Sequence, residues 1–198
     1  MKIIIVGATG TIGKHVTAEL SKRHVVIKAS VKRGDVIVDI TSRSSIEQMF
    51  TQVGQFDALV STVGNVYFGD FNSMGEEDFY LGIRNKMMGQ INLVMVGKDF
   101  ISDNGSFTLT SGILADDPIK DGAAFSMVNG AINGFVTGAA IELKRGVRIN
   151  AVSPGVVEEA KELFPFFPGH NPVSMERVFR GYVKSVEGKV NGQIIRIF

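Results

Sequence analysis

The sequence predicts a single α/β domain over residues 1–198, a three-layer, doubly wound parallel sheet of about seven strands with helices on both faces. Short β-branched runs alternate with longer helical patterns along the whole chain, which is typical of repeated βαβ units. Strands such as KIIIV and DALVST are nearly continuous apolar runs, as expected when both faces of a parallel sheet are buried. A glycine-rich stretch, GATGTIG, joins the first strand to the first helix.

The predicted elements alternate in order along the chain. The strands are expected at 2–6, 25–30, 36–39, 58–62, 106–110, 148–152 and 193–197. The helices are expected at about 12–23, 43–54, 76–101, 122–145 and 173–187. Residues 155–172 contain three prolines, which predict a loop or lid with a short helical start. Its Phe164, Phe166 and Phe167 would either cover a site or lie in the core.

Composition and charge narrow the classes of function. The formal net charge of +1 gives no reason to expect nucleic acid or acidic membranes as partners, and no window reaches the roughly 18 unbroken apolar residues of a membrane span. The chain has no cysteine, which excludes disulfides and a thiol nucleophile, and its three histidines are scattered. We therefore expect a cytoplasmic protein without a metal site.

The stretch from Gly7 to Gly13 predicts a dinucleotide site. Gly7 permits a sharp turn out of the strand, Gly10 lets the backbone approach a pyrophosphate, and Gly13 lets the helix pack close to the sheet. The helix that follows offers free N–H groups and a partial positive charge to phosphate. Thr9, Thr11 and Ile12 lie in the same turn and are expected to contact the cofactor. A tight turn without a ligand is the alternative.

The end of the second strand favours NADP over NAD, although NAD stays possible. An acidic residue there would bind the adenosine ribose of NAD, whereas a basic residue accommodates the 2′-phosphate of NADP. This chain has Ser30, Lys32 and Arg33, with no acid before Asp35. A solvated turn is the alternative interpretation of the two basic residues.

The order of motifs GATGTIG, VDIT, STVGN, LTSG and RINAVSPG resembles the short-chain dehydrogenase/reductase family over essentially the whole chain. The resemblance implies a Rossmann-like sheet and hydride transfer between a nicotinamide cofactor and a small carbonyl-type substrate. It further implies that Asp39 and Ile40 contact adenine and that Pro154 and Gly155 lie beside the nicotinamide. The residues expected on the adenosine ribose side are Ser61, Thr62, Val63 and Gly64.

The family's usual proton path is missing from the sequence. Members of the family use a tyrosine, a lysine four residues later, a serine that holds the carbonyl, and an asparagine on the preceding helix. Ser111 matches the serine, but Phe125 stands at the tyrosine and Asn129 at the lysine. The asparagine position falls on Lys86, with Asn85 one place away. The chain thus resembles a small subgroup that keeps the glycine motif and lacks the usual catalytic residues.

Two functions remain open at this point. One is an NADP-dependent oxidoreductase in which Tyr67, or a water held by Ser111, replaces the missing proton donor. Tyr67 is expected more as a cover of the cleft, and Lys86 more as a solvent-facing lysine. The other is a dinucleotide-binding sensor or regulatory protein without catalysis. A nucleotide-binding fold reused for flavin is a third possibility.

The helix at 122–145 is unusually rich in small residues, and no side chain from Gly122 to Ile141 is ionisable. Each interior glycine costs a helix about 1 kcal/mol relative to alanine, so close packing must compensate. We expect the helix to pack closely on the sheet on one side and on a partner subunit on the other. The resemblance implies a homodimer or homotetramer formed through helices 76–101 and 122–145.

Overall fold

The fold is a seven-stranded parallel sheet covered on both faces by helices, described over residues 1–198 by a computed structural model. The strands stand in the order β3-β2-β1-β4-β5-β6-β7, and every pair is parallel. Their bounds are β1 Lys2–Val6, β2 Val25–Ser30, β3 Val36–Ile37, β4 Phe56–Ser61, β5 Ile101–Thr110, β6 Arg148–Pro154 and β7 Ile194–Ile197. The strand order reverses direction between β1 and β4, where ligands bind in doubly wound folds. The predicted fold class is confirmed.

Six α-helices form the outer layers. Their bounds are α1 Thr11–Leu20, α2 Arg43–Val53, α3 Glu76–Gly82, α4 Met88–Gly97, α5 Ala123–Glu142 and α6 Met175–Val186. A five-residue π-helical turn, Ile83–Met87, joins α3 to α4. Short 3₁₀ turns lie at Phe71–Ser73, Ile113–Ala115 and Lys161–Phe166.

The sheet divides the core into two layers because successive side chains of a strand point to opposite faces. Ile4 belongs to the cluster that also holds Phe50 of α2, Leu93 of α4 and Val128 of α5. Its neighbours Ile3 and Ile5 belong to the other cluster, together with side chains of α1 and α6. Burial on both faces explains why the sequence of β1 is an unbroken run of apolar residues after Lys2.

The predicted helix at 76–101 is wrong in two respects. It is divided by the π turn, and it ends at Gly97 because β5 begins at Ile101, five residues before the predicted start of that strand. The first part of β5 contains the polar run Ser102–Gly105. This run lacks the apolar pattern from which the strands were predicted, so the start of β5 was missed. Ile101 nevertheless pairs with Phe56 across an irregularity in the register between β4 and β5.

Helix α5 packs on the sheet through its larger side chains. Val128, Ile132 and Val136 are completely buried. A Cβ added at Gly130, Gly134 or Gly138 would meet nothing within 4 Å, and all three glycines are exposed. The expectation that the helix packs on the sheet on one side is confirmed, and the three glycines form a stripe on the opposite, solvent-facing side.

Helix α5 is also long and apolar enough to cross a membrane by length and composition alone, with a mean hydropathy of 1.2 over its best window. The same composition is found in core helices that pack on a sheet. In this structure 28% of that window is buried, through residues such as Val128, Ile132 and Val136 that pack on the sheet.

Candidate functional site

The glycine turn folds tightly at the carboxyl end of β1. Gly7 adopts a φ of +88°, and a Cβ on Gly13 would lie 2.1 Å from the carbonyl oxygen of Gly7. The same oxygen accepts hydrogen bonds from the Gly10 N–H at 3.0 Å and the Thr62 hydroxyl at 3.2 Å. Gly10 caps α1 without a side-chain acceptor, so the first N–H groups of the helix are not satisfied by a cap. The turn has the geometry of a phosphate cradle.

A groove of about 590 Å³ lies beside this turn, at the carboxyl ends of four strands. Eleven of the residues predicted to bind the cofactor line it: Gly7, Thr9, Gly10, Ser30, Lys32, Arg33, Asp39, Ile40, Thr62, Val63 and Gly64. Asn85 of the π turn also lines the groove and was not in the predicted cofactor set. Its lining runs from the glycine turn to the end of β2, which are the places where doubly wound folds bind the pyrophosphate and the adenosine ribose.

The other predicted cofactor residues lie elsewhere. Ile12, Pro154 and Gly155 line a second cavity that also contains Ser111. Gly13 lies beneath the turn, and Thr11 and Ser61 line neither space. Ser61 is completely buried, so its side chain is not available to a ligand in the groove.

The end of β2 presents positive charge to the groove. Ser30 exchanges hydrogen bonds with the backbone of Arg33, which shapes the turn that carries Lys32. Neither Lys32 nor Arg33 forms an ion pair. The nearest acid in sequence, Asp35, folds back onto Lys28, where its carboxylate accepts the backbone N–H at 2.8 Å. The groove therefore ends in two unpaired cations, a setting suited to an anionic group.

The carboxylate of Asp39, at the other side of the groove, is held by its own turn. Its Oδ1 accepts the Thr41 hydroxyl at 2.7 Å and the Thr41 N–H at 2.9 Å. Hydrogen bonds from the Thr41 side chain, and then from its backbone, lower the pKa of Asp39 below its usual value.

The second cavity has a volume of about 390 Å³ and predominantly apolar walls. Phe68, Phe125 and Phe166 form a chain of edge-to-face contacts, with ring centroids 6.4 Å and 5.1 Å apart, along one side of it. Phe166 and Phe167 of the 155–172 segment line the cavity, as an aromatic cover would, whereas Phe164 does not. The predicted short helical start is a 3₁₀ turn at Lys161–Phe166.

Ser111 lies at the end of β5 and is held there by its backbone. Its N–H donates to Val152 O at 3.0 Å, and its carbonyl accepts the Lys86 ammonium at 2.9 Å. Ser111 is one of the residues that line the cavity, and its buried hydroxyl has no hydrogen-bond partner in the protein. A buried hydroxyl without a partner is rare because it loses hydration without compensation. The hydroxyls of Ser61, Ser106 and Ser153 are also buried without a partner, and Ser111 differs from them in lining the cavity.

Lys86 is buried in the wall of the same cavity. It lies in the π turn, is only 8% exposed, and donates at 2.7 Å to Asn129 Oδ1 as well as to Ser111 O. The expectation of a solvent-facing lysine is therefore wrong. Loss of hydration on burial lowers the pKa of the Lys86 ammonium to about 8. Its nitrogen stands 5.6 Å from the centre of the Phe125 ring.

Gly64 makes the buried position of Lys86 possible. A Cβ at this glycine would stand 2.3 Å from Lys86 Cγ, so any other residue would displace the lysine stem. Gly64 also adopts a φ of +136°, which disfavours other residues. Consecutive residues of the π turn thus serve two spaces, since Asn85 lines the groove and Lys86 lines the cavity.

No tyrosine lines the cavity. Tyr67 is absent from its walls and its hydroxyl lies against Gly69, where an added Cβ would be 2.6 Å away. Tyr182 is completely buried and shares a 2.7 Å hydrogen bond with Thr110, and its burial raises the pKa of the phenol. Tyr80 packs against the guanidinium of Arg84. The candidate role of Tyr67 as proton donor has no geometric support.

Comparison with known proteins agrees with this geometry. The family model described as enoyl-(acyl carrier protein) reductase matches residues 3–170. The chain belongs to the short-chain dehydrogenase/reductase family. An uncharacterised oxidoreductase of Methylorubrum extorquens is 28% identical over 131 residues, covering 66% of this chain and 53% of that protein. The oxidoreductase YmfI of Bacillus subtilis is 24% identical over 188 residues, covering 78% and 74%. The chain spans about half the length of the first curated relatives that it matches.

Solved structures superimpose on the whole chain. A Listeria innocua protein is 46% identical, with a TM-score of 0.98 and complete coverage of both chains. A small-chain dehydrogenase solved in complex with NADPH is 23% identical, with a TM-score of 0.89, and the match covers 100% of this chain and 96% of that one. The second likeness is one of fold.

The short-chain dehydrogenase/reductase resemblance puts the lysine position at Asn129 and the asparagine position at Lys86 or the adjacent Asn85. Of these two, Lys86 is the one that contacts Asn129. Phe125 and Asn129 both line the cavity, as the alignment implied. The spacing to Gly89 gave the only sequence signal for Lys86, because burial of a lysine is not visible in a sequence.

Proposed function

We propose that the protein is an NADP(H)-dependent oxidoreductase that acts on a small, largely apolar carbonyl compound without using a tyrosine. The observation that carries the proposal is Ser111, which has an unpartnered hydroxyl and lines an apolar cavity next to the glycine-turn groove. Two relatives described as uncharacterised oxidoreductases support the same reaction class.

The groove provides groups suited to each part of NADP. The start of α1 would hold the pyrophosphate, and Lys32 with Arg33 would hold the 2′-phosphate. Asp39 and Ile40 would contact the adenine, whereas Ile12, Pro154 and Gly155 would stand beside the nicotinamide. When bound, the cofactor supplies or accepts the hydride, and the protein orients the two reactants.

The cavity suggests the substrate class. Twelve of its nineteen lining residues are hydrophobic, and none is acidic. With a volume of about 390 Å³ it would accept a molecule the size of a substituted benzene ring or a short aliphatic chain. The Ser111 hydroxyl would donate a hydrogen bond to the carbonyl oxygen, which fixes the carbonyl near Pro154 and Gly155.

Binding and turnover test the proposal in that order. NADP and NAD are titrated separately by fluorescence, and NADPH oxidation is then followed with benzaldehyde, acetophenone and phenanthrenequinone. Ser111→Ala is expected to lower kcat/KM by about 10- to 100-fold with unchanged NADPH affinity, since it removes one donor to the developing oxyanion. Ser126→Ala is the matched control, because Ser126 bonds within α5 and does not line the cavity. Tight NADPH binding without reduction of any acceptor would reject the enzyme.

A sensor without catalysis is the second candidate, favoured by Phe125 and Asn129 at the positions of the usual catalytic pair. It requires NADP binding to change the oligomeric state or the affinity for a partner. Light scattering with and without NADPH separates the two candidates, since a shift in mass without turnover supports the sensor. For either function we propose a homodimer or homotetramer working in the cytoplasm.

A further inference from the structure

We infer that Lys86 is the catalytic acid and base of this site, donating a proton to the substrate oxygen in reduction and removing it in oxidation. The inference rests on the proposed oxidoreductase function and adds the residue that replaces the missing tyrosine. It follows from the position of the ammonium, from its hydrogen bonds, and from the absence of a competing group.

Lys86 is the only titratable side chain among the residues that line the cavity. The elements packed around it bring Gly64, Ser111, Phe125 and Asn129, none of which carries a charge. The neighbouring cation of the same turn, Arg84, points away and pairs with Glu77 at 3.0 Å. Lys86 is therefore the one titratable protein group in this cavity that can exchange a proton with a substrate.

The hydrogen bonds of Lys86 suit a group that gains and loses a proton. An ammonium has three N–H donors, and the protein supplies two acceptors, Ser111 O and Asn129 Oδ1. One N–H is left for a ligand. The neutral amine keeps two N–H groups, which match the same two acceptors, so deprotonation leaves the nitrogen held in place. Both acceptors are uncharged, and no carboxylate fixes the proton on the lysine.

The backbone of Ser111 links this acid to the proposed carbonyl site. Lys86 bonds to the carbonyl oxygen of Ser111, and the hydroxyl of the same residue has no partner in the protein. The inference requires a substrate oxygen to reach the Ser111 hydroxyl and the Lys86 nitrogen together. The lowering of the Lys86 pKa to about 8 by burial brings the group into the range in which it exchanges protons near neutral pH.

The proposed step balances. The carbonyl carbon receives a hydride, with its two electrons, from the reduced cofactor, and the oxygen receives a proton from the Lys86 ammonium. The products are an alcohol, the oxidised cofactor and a neutral Lys86 amine, which takes a proton from water to restore the starting state. Oxidation of the alcohol runs through the same groups in reverse.

The test compares Lys86→Met and Lys86→Arg with wild type and with Lys144→Met, an exposed-lysine control at the opposite edge of the sheet. Lys86→Met is expected to lower the rate of benzaldehyde reduction by about 100-fold or more, the usual contribution of a general acid, with little change in NADPH affinity. Lys86→Arg is expected to be equally slow, because a guanidinium does not release its proton. Wild-type reduction should fall as pH rises through about 8, and Lys86→Met should lose this dependence.

A second readout does not depend on turnover. In protein labelled with ¹³C-lysine, one Cε resonance should titrate near pH 8, in the NADP-bound protein as well as the free one, and should be missing from Lys86→Met. The outcomes separate the two proposals. No reduction by wild type that binds NADPH overturns both, whereas turnover with full activity in Lys86→Met or Lys86→Arg overturns Lys86 alone. A borohydride-trapped benzaldehyde adduct on Lys86 would make it a nucleophile and also overturn the inference.

Discussion

The Lys86 ammonium donates a 2.7 Å hydrogen bond to the side-chain oxygen of Asn129, joining the π turn to α5 across the wall of the cavity. The family resemblance puts the lysine position at Asn129 and the asparagine position at Lys86 or the adjacent Asn85. This arrangement keeps a cation and an amide in contact but moves the charge from one helix to the next. This relationship has measurable consequences for stability as well as for chemistry.

The burial of Lys86 should make the protein more stable at alkaline pH than near neutrality. Its folded-state pKa is about 8, below the ordinary lysine value of about 10.4, so between these values the unfolded chain holds a proton that the folded protein has released. Stability therefore rises with pH through this window. The full difference corresponds to about 3 kcal/mol, at about 1.4 kcal/mol for each pKa unit.

Urea unfolding at several pH values between about 7.5 and 10 measures this effect. Lys86→Met should show a flatter dependence of the unfolding free energy on pH, together with a constant loss from the two hydrogen bonds. Lys144→Met should follow wild type. Equal slopes in wild type and Lys86→Met would show that the ammonium is not desolvated in the folded protein.

Two glycines of the phosphate turn should respond differently to the same change. Gly13→Ala forces the Gly7 carbonyl to move, because the added Cβ would stand 2.1 Å from it, and should cost about 1–3 kcal/mol of folding stability. Gly10→Ala meets its nearest atom at 3.5 Å and should leave the thermal midpoint nearly unchanged. Because Gly10 lines the groove, its substitution should instead weaken NADP binding, by about tenfold or more. Differential scanning fluorimetry and a cofactor titration measure the two effects, and a parallel loss of stability in both variants would contradict this division.

The basic pair at the end of β2 should determine cofactor preference. Lys32→Ala with Arg33→Ala is expected to weaken NADP binding by about tenfold or more, since each charged hydrogen bond contributes about 1.5–3 kcal/mol. Binding of NAD, which lacks the 2′-phosphate, should change little and serves as the internal control. Equal losses for both cofactors would show that the pair does not contact the 2′-phosphate.

The exposed glycine stripe of α5 should be an interface between subunits. Gly134→Glu places a charge at a position where a Cβ meets nothing in the protomer, so the fold should tolerate it. The mass from light scattering should then fall to that of a monomer, because a buried charge without a partner is costly. Gln48→Glu, at an exposed position of α2 outside both predicted interface helices, is the control and should keep the wild-type mass. A monomeric wild type at micromolar concentration would contradict the interface.

The fold was predictable because its signals are local and repeated. The apolar runs of β1 and β4 indicate strands that are buried on both faces, as in a parallel sheet. The glycines at 7, 10 and 13 indicate the tight turn after β1. The errors arose where a local pattern was overruled by tertiary contacts. The polar start of β5 is stabilised by pairing with β4. Hydrophobic periodicity in the sequence gives no sign of such pairing between strands.

The residues of the groove and several residues of the cavity were predictable, whereas the burial of Lys86 was not. Eleven of the predicted cofactor residues lie together because they follow strand ends in a regular α/β order. The buried state of Lys86 depends on a π turn, on the missing side chain of Gly64 and on acceptors 25 and 43 residues away in the chain. A lysine in a helical sequence pattern is exposed to solvent in most proteins. Here the three features just named bury it instead.

The π turn at Ile83–Met87 has a consequence for how this site can change. Such a turn holds one residue more than an α-helical path between the same two ends. Deletion of one residue there would leave α3 and α4 seated as they are and rotate only the few side chains between them. Deletion of a single codon would thus be enough to remove the Lys86 charge from the cavity wall. The sheet, the groove and both helices would stay intact.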